Sequence, residues 1–310
     1  MAFRAGYREL LIGGELERRA EAMAELAREC RLCPRGCLVA RASDERGECG
    51  AGSQASLVSV GTHHGEEPCL SGWQGSGTLF FGHCNLHCLF CQNHDISQDH
   101  VSARAMEADP PEVAAAMLRL QALGCHNINW VSPTHSLDAI LAALVLAAQE
   151  GLRQPVVYNS NGYDSVEALE LLEGVVDIYM PDLKYADSAV AEELSQAPDY
   201  VEHARAASLE MHRQVGDLEI GDDGLARRGL LIRLLVLPHD LSGAEESLRW
   251  IADTLGPDTV VNLMAQYHPA HRAHGDRRLA RRLTREEYRA AAAAARGAGL
   301  RRVMTQTLFL

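Results

Sequence analysis

From about residue 76 onward, short apolar runs alternate with amphipathic stretches, and few folds accept that rhythm. The runs are Thr78–Gly82, Asn127–Val131, Pro155–Tyr158, Val175–Met180, Leu230–Leu237 and Val260–Met264. Helical patterns lie between them, near Pro110–Leu123, Leu137–Glu150, Ser165–Glu173, Ser188–Val215 and Ala244–Leu255, with a last helix at about Arg285–Arg296. Thr284-Arg285-Glu286-Glu287 is a capping box, and Asp109-Pro110-Pro111-Glu112 is an equally good helix start. Near-continuous apolar strands separated by helices predict a parallel sheet covered by helices. Six such units suit an α/β fold of partial (β/α)6 barrel type.

In parallel α/β barrels the chemistry sits at the C-terminal ends of the strands. The first run is followed by three cysteines, the second by Ser132-Pro133-Thr134-His135, and the third by Asn159-Ser160-Asn161-Gly162. Pro181-Asp182-Leu183-Lys184, Pro238-His239-Asp240 and Gln266-Tyr267-His268-Pro269 follow the other three. One polar loop end would be ordinary turn chemistry. Six at corresponding positions describe a site.

The three cysteines are Cys84, Cys88 and Cys91, a C-x3-C-x2-C loop. Three thiolates hold three irons of a 4Fe–4S cube and leave the fourth iron open to a small molecule. Structural zinc usually takes four ligands, and ferredoxins supply four cysteines per cluster. A zinc or ferredoxin site with its fourth ligand elsewhere is the alternative.

This loop, with Phe90 before its last cysteine, resembles the cluster motif of the radical S-adenosylmethionine (radical SAM) superfamily. Within it the chain looks most like pyruvate formate-lyase activating enzymes, closest to an uncharacterised branch of their homologues. Asn161-Gly162-Tyr163 resembles their TNGF turn, Asp182-Leu183-Lys184 their DLK segment, and Leu263 to His268 their LPYH strand end. Gly65-Glu66-Glu67-Pro68, Asn127-Ile128-Asn129 and Pro133-Thr134-His135 look like signatures of the uncharacterised branch.

The resemblance implies a 4Fe–4S cluster on Cys84, Cys88 and Cys91, reductive cleavage of SAM, and hydrogen abstraction by a 5′-deoxyadenosyl radical. It implies Lys184 at the SAM carboxylate, Asp182 with Asn159 and Ser160 at the ribose, methionyl group or a monovalent cation, Phe90 on adenine, and His268 near the adenosyl group. It also implies a flavodoxin- or ferredoxin-type electron donor and, for an activase, a glycyl radical enzyme as partner. Where activating enzymes carry a GGE segment, this chain reads Val131-Ser132-Pro133-Thr134-His135, so the expected acceptors for the SAM amine are the Ser132 or Thr134 hydroxyls or a carbonyl freed by Pro133. Radical modification of another protein, a peptide or a small molecule competes with the activase reading. A non-catalytic Fe–S or zinc carrier, or a redox-responsive binding module, is the alternative of a different class.

Ahead of the barrel, Cys30, Cys33, Cys37 and Cys49 form a second group among turns supplied by Pro34, Gly36, Gly47 and Gly50. Structural zinc and an auxiliary 4Fe–4S cluster both fit, with a lean to zinc because so loop-rich a stretch has little core. The expected division is residues 1–70 for a helix, this knuckle and a linker, and 71–310 for the barrel. Leu16, Ala20, Met23, Ala24 and Ala27 share one face of the helix at Glu15–Arg28. Cys125 reads as a buried hydrophobe, Cys69 as a bystander near the rim, and His63, His64 and Glu66 as a solvated loop.

A net charge of −13 argues against broad nucleic-acid binding. No run of 18 apolar residues predicts a membrane span. Nine cysteines without a secretory signal suggest reduced thiols and a cytoplasmic location. Lys184 is the only lysine among 29 basic residues, and a planar guanidinium does not replace a compact ammonium in a tight site.

Overall fold

The computed structural model describes residues 3–306. Its strands are β1 (Ala55–His63), β2 (Ser76–Phe81), β3 (Glu107–Ala108), β4 (Ile128–Val131), β5 (Val156–Ser160), β6 (Ile178–Pro181), β7 (Glu219–Ile220), β8 (Ala226–Leu235), β9 (Val260–Met264) and β10 (Val303–Thr305). They form one sheet in the order β10-β9-β8-β6-β5-β4-β2-β1-β3, with β7 paired to β8 off this path. The six strands β2, β4, β5, β6, β8 and β9 are the six expected ones. They pair in parallel and in chain order, so each strand–helix unit steps one place along the sheet. Steps in one direction curl the sheet, and the ends stay unpaired with each other, which makes the barrel partial. Both predicted helix starts form reciprocal caps, at Asp109 with Glu112 and at Thr284 with Glu287.

Three departures from expectation bear on the site. The predicted helix Ser188–Val215 is two helices, Ser188–Ser195 and Tyr200–Val215. Gln196 turns left-handed at φ 54°, and Pro198 cannot continue a helix, lacking an N–H and clashing with the preceding turn. On the helix Glu15–Arg28 the buried residues are Leu16, Met23, Leu26 and Ala27, so Leu26 takes the place expected of Ala24. That helix packs on Leu137–Gln149, and β1 joins the sheet antiparallel to β2, so the stretch ahead of the barrel is continuous with it.

The third departure is a floor. Because β1 runs antiparallel to β2, the link between them crosses the N-terminal end of the barrel. Gly65-Glu66-Glu67 leads into a single turn, Pro68–Ser71, whose Cys69 and Leu70 pack with Val157, Ile178, Leu231 and Val260. Cys69 is therefore at the end opposite the rim, and Glu66 is not solvated: its side chain is 8% exposed. Glu67 accepts from Asn262 Nδ2 at 2.7 Å, tying the floor to β9 at the other end of the parallel array. Among the described residues no helix is long and apolar enough to cross a membrane.

Candidate functional site

Cys84, Cys88 and Cys91 line one wall of a cavity of about 260 Å3 at the C-terminal ends of the strands. Their loop hangs from the end of the helix Ser188–Ser195, where Leu89 N donates to Leu194 O at 2.8 Å and His87 N to Ser195 O at 3.2 Å. Carbonyls left over by the helix break thus satisfy loop amides that would otherwise be orphaned. Every cysteine sulfur has a polar neighbour: Ser195 Oγ donates to Cys88 Sγ at 3.0 Å, Ser97 Oγ is 3.2 Å from Cys91 Sγ, and Asn161 Nδ2 donates to Cys84 Sγ at 3.4 Å. Burial and the neighbouring Cys88 push the Cys84 thiol up to about 12, and burial also raises Cys88 despite the pull of Lys184. Neutral, hydrogen-bonded thiols facing one cavity fit a metal group that displaces their protons on binding.

The opposite wall is a charge ladder. Lys184 Nζ donates to Asp182 Oδ2 at 2.6 Å, and Arg233 Nε to Asp182 Oδ1 at 2.9 Å. Arg233 Nη2 donates to Asn159 Oδ1 at 2.7 Å, and its Nη1 lies 4.0 Å from Glu66. Burial pushes the Asp182 carboxyl up, but Arg233 and then Lys184 outweigh it and hold it below the carboxylate range. Burial works against the Lys184 ammonium, while Asp182 and then Cys88 favour it, and the net shift is upward. Lys184 therefore stays charged beside the cysteine loop. Glu66 shifts upward through burial, only partly opposed by Arg233.

The predicted residues divide. Phe90, Ser132, Asn159, Ser160, Asp182 and Lys184 all line the cavity with the cysteines. Phe90 stacks edge-on with Tyr185 and Tyr267, at centroid separations of 6.5 and 6.0 Å. Ser132 holds φ 58°, a left-handed conformation that glycine prefers and that costs a serine about 1–2 kcal/mol. Thr134 is turned away, its hydroxyl donating to the buried Asp164, which also receives Tyr158 and Ser160. His268 lies outside the cavity lining, 3.2 Å from Gln92, and Gln266 lines the cavity in its place. His239 and Asp240 also lie off the cavity, in a turn capped by Glu287. His135 is buried with Nε2 2.6 Å from Gly82 O, and burial holds it down to about 4, so it braces the start of the cysteine loop as a neutral ring.

Sequence reasoning missed Glu66, Arg233, Asn161 and Asp164. Arg233 sits inside an apolar strand, where alternation would have marked it as inward-facing. The loop after β5 is sewn down by Tyr200, whose hydroxyl shares its one proton between the Asn161 and Asp182 carbonyls and accepts from Lys184 N at 3.1 Å. Gly162 has φ 82°, and a Cβ there would overlap Asp182 O. Gly162→Ala is expected to destabilise by about 1–3 kcal/mol, a Tm loss of several degrees in thermal unfolding.

Residues 78–250 match the model of the radical SAM superfamily. Uncharacterized protein MJ0674 of Methanocaldococcus jannaschii is 32% identical over 278 residues, 88% of this chain and 75% of that protein. Uncharacterized protein MJ0808 of the same organism is 27% identical over 171 residues, 50% of this chain and 49% of its own length. The matched span holds the cysteine loop, the strand ends of β4, β5, β6 and β8, and both charges of the Asp182–Lys184 pair, and the chain belongs to the radical SAM superfamily.

Proposed function

We propose that Cys84, Cys88 and Cys91 hold the 4Fe–4S cluster of a radical SAM enzyme and that SAM lies in the cavity between them and Lys184. The observation that carries this reading is the pairing of three thiols with one half-buried, charged ammonium across a cavity of about 260 Å3. A reduced cluster bound there supplies the electron that cleaves SAM to methionine and a hydrogen-abstracting 5′-deoxyadenosyl radical.

Lys184 meets the SAM carboxylate as a point charge, held on station by Asp182. Asp182 and Asn159, both fixed by Arg233, offer polar groups to the ribose or methionyl chain, while Ser160 braces the wall through Asp164. Ser132 offers its hydroxyl to the amine, and Glu66 beside Arg233 closes the deep end of the cavity. Phe90 supplies an apolar face for adenine.

The cavity is small for a ligand site, so a cluster and SAM together would fill it and leave the substrate carbon to meet the radical at the mouth. That favours a protruding segment of a protein substrate, of which a glycine loop in a glycyl radical enzyme is one form. Anaerobic reconstitution, reduction and addition of SAM should release 5′-deoxyadenosine. None under a strong reductant would leave the Fe–S carrier as the better reading.

The hydrogen bond from Ser195 stabilises negative charge added at the Cys88 sulfur. Ser195→Ala should therefore lower the midpoint potential of the cluster by roughly 20–60 mV, read in a redox titration monitored by electron paramagnetic resonance (EPR). An unchanged potential would mean the cluster does not use this sulfur.

A further inference from the structure

Four cysteines ahead of the barrel play no part in the chemistry above. Cys30, Cys33 and Cys49 are buried, Cys37 is partly so, and none is in a disulfide. A tight knuckle gathers them: Cys30 N donates to Val39 O at 3.1 Å, Leu38 N to Cys30 O at 3.2 Å, and Gly36 N to Cys33 O at 3.1 Å. Gly47 packs so close to Cys37 that a Cβ would overlap its sulfur. Burial raises the Cys30, Cys33 and Cys49 thiols, and each is raised further by others of the set. Beside them Arg41 is buried, with Nη1 4.0 Å from Cys30 Sγ and 2.7 Å from His135 O. This buried guanidinium lies 3.8 Å from the Asp138 carboxylate and so holds positive charge between that group and the Cys30 thiol.

We propose that Cys30, Cys33, Cys37 and Cys49 ligate a second 4Fe–4S cluster that passes electrons to the site at Cys84, Cys88 and Cys91. The first half stands on the four cysteines alone; the second rests on the function proposed above.

Proximity to the first set of cysteines favours a cluster over zinc, and it runs through Asn85. This residue is wholly buried and follows Cys84 directly, with Oδ1 4.0 Å from Cys84 Sγ. Its side chain also lies within hydrogen-bonding reach of Cys33. Arg35, from the knuckle, donates to Asn85 O at 3.0 Å. One residue thus separates a thiol of each set, a proximity that electron transfer needs and a structural zinc does not.

The balance is one electron with no bond or proton change. A low-potential one-electron donor protein reduces the second cluster from 2+ to 1+. That cluster returns to 2+ as the catalytic cluster goes from 2+ to 1+.

The test uses the full chain, reconstituted anaerobically with iron and sulfide. Wild type should hold about eight irons, and its fully reduced EPR spectrum should be broadened by coupling between neighbouring clusters. A Cys84→Ala, Cys88→Ala, Cys91→Ala triple variant should keep about four irons and a reduced signal that SAM does not alter. Should that variant fail to fold, wild-type iron decides, since about four irons with one zinc per chain overturns the proposal. Eight irons without 5′-deoxyadenosine would sink the proposed function and leave the second cluster standing. Cys33→Ser with Cys37→Ser should lose at least tenfold of the turnover driven by a protein donor while keeping that driven by dithionite. Equal losses with both reductants would overturn the relay.

Discussion

Cys88→Ala is expected to reduce 5′-deoxyadenosine formation to background, at least about a thousandfold, which is about 4 kcal/mol of barrier. Cys88 is the central member of its loop, is buried, and receives a hydrogen bond from Ser195. Two thiolates cannot hold the cube with a single iron open. Loss of a buried sulfur lowers stability by only about 1 kcal/mol, so thermal unfolding should show a folded protein. Cys125→Ala is the matched control: it too is buried, touches Thr62 at 3.3 Å, and lies off the cavity that the three cysteines line. If Cys88→Ala and Cys125→Ala lose activity alike, the loop is not the cluster site.

Lys184→Met should weaken SAM binding roughly 10- to 150-fold, the value of one charged hydrogen bond of about 1.5–3 kcal/mol. The side chain keeps its length and loses its charge. Asp182 remains anchored by Arg233, so the wall should hold its shape. Iron content should not change, which separates loss of SAM from loss of cluster. Lys184→Arg should not restore affinity, because a forked guanidinium cannot occupy the place of an ammonium already 2.6 Å from a carboxylate. SAM affinity measured by equilibrium dialysis decides the matter. Unchanged affinity in the methionine variant would place the carboxylate elsewhere.

Hydrogen bonding explains why the rim was only partly legible. Asn159 and Ser160 end β5, Asp182 and Lys184 follow β6, and all four line the cavity, as position in an α/β barrel implies. Thr134, His135, His239 and His268 occupy equally suggestive places in the chain, yet their polar groups are spent elsewhere, on Asp164, Gly82, Glu287 and Gln92. A polar residue after a strand looks the same in sequence whether it faces substrate or braces its neighbour. Glu66 was hidden for another reason. It precedes a proline in a polar loop, and only the antiparallel placement of β1 carries that loop under the barrel.

What the chain determines by itself is local: the rhythm of six apolar runs, the three-cysteine spacing, two reciprocal helix caps and a lone lysine. Each single run, the cysteine spacing and each cap is set within a dozen residues, where propensity and covalent spacing dominate. Tertiary structure alone decided the contacts that join distant segments. Ser195 meets Cys88 across 107 positions, Arg233 meets Asn159 across 74, and Asn262 meets Glu67 across 195. Such pairs arise from strand register and from where a helix breaks. Burial then forces every stranded polar group to find a partner, and that partner need not be near in sequence.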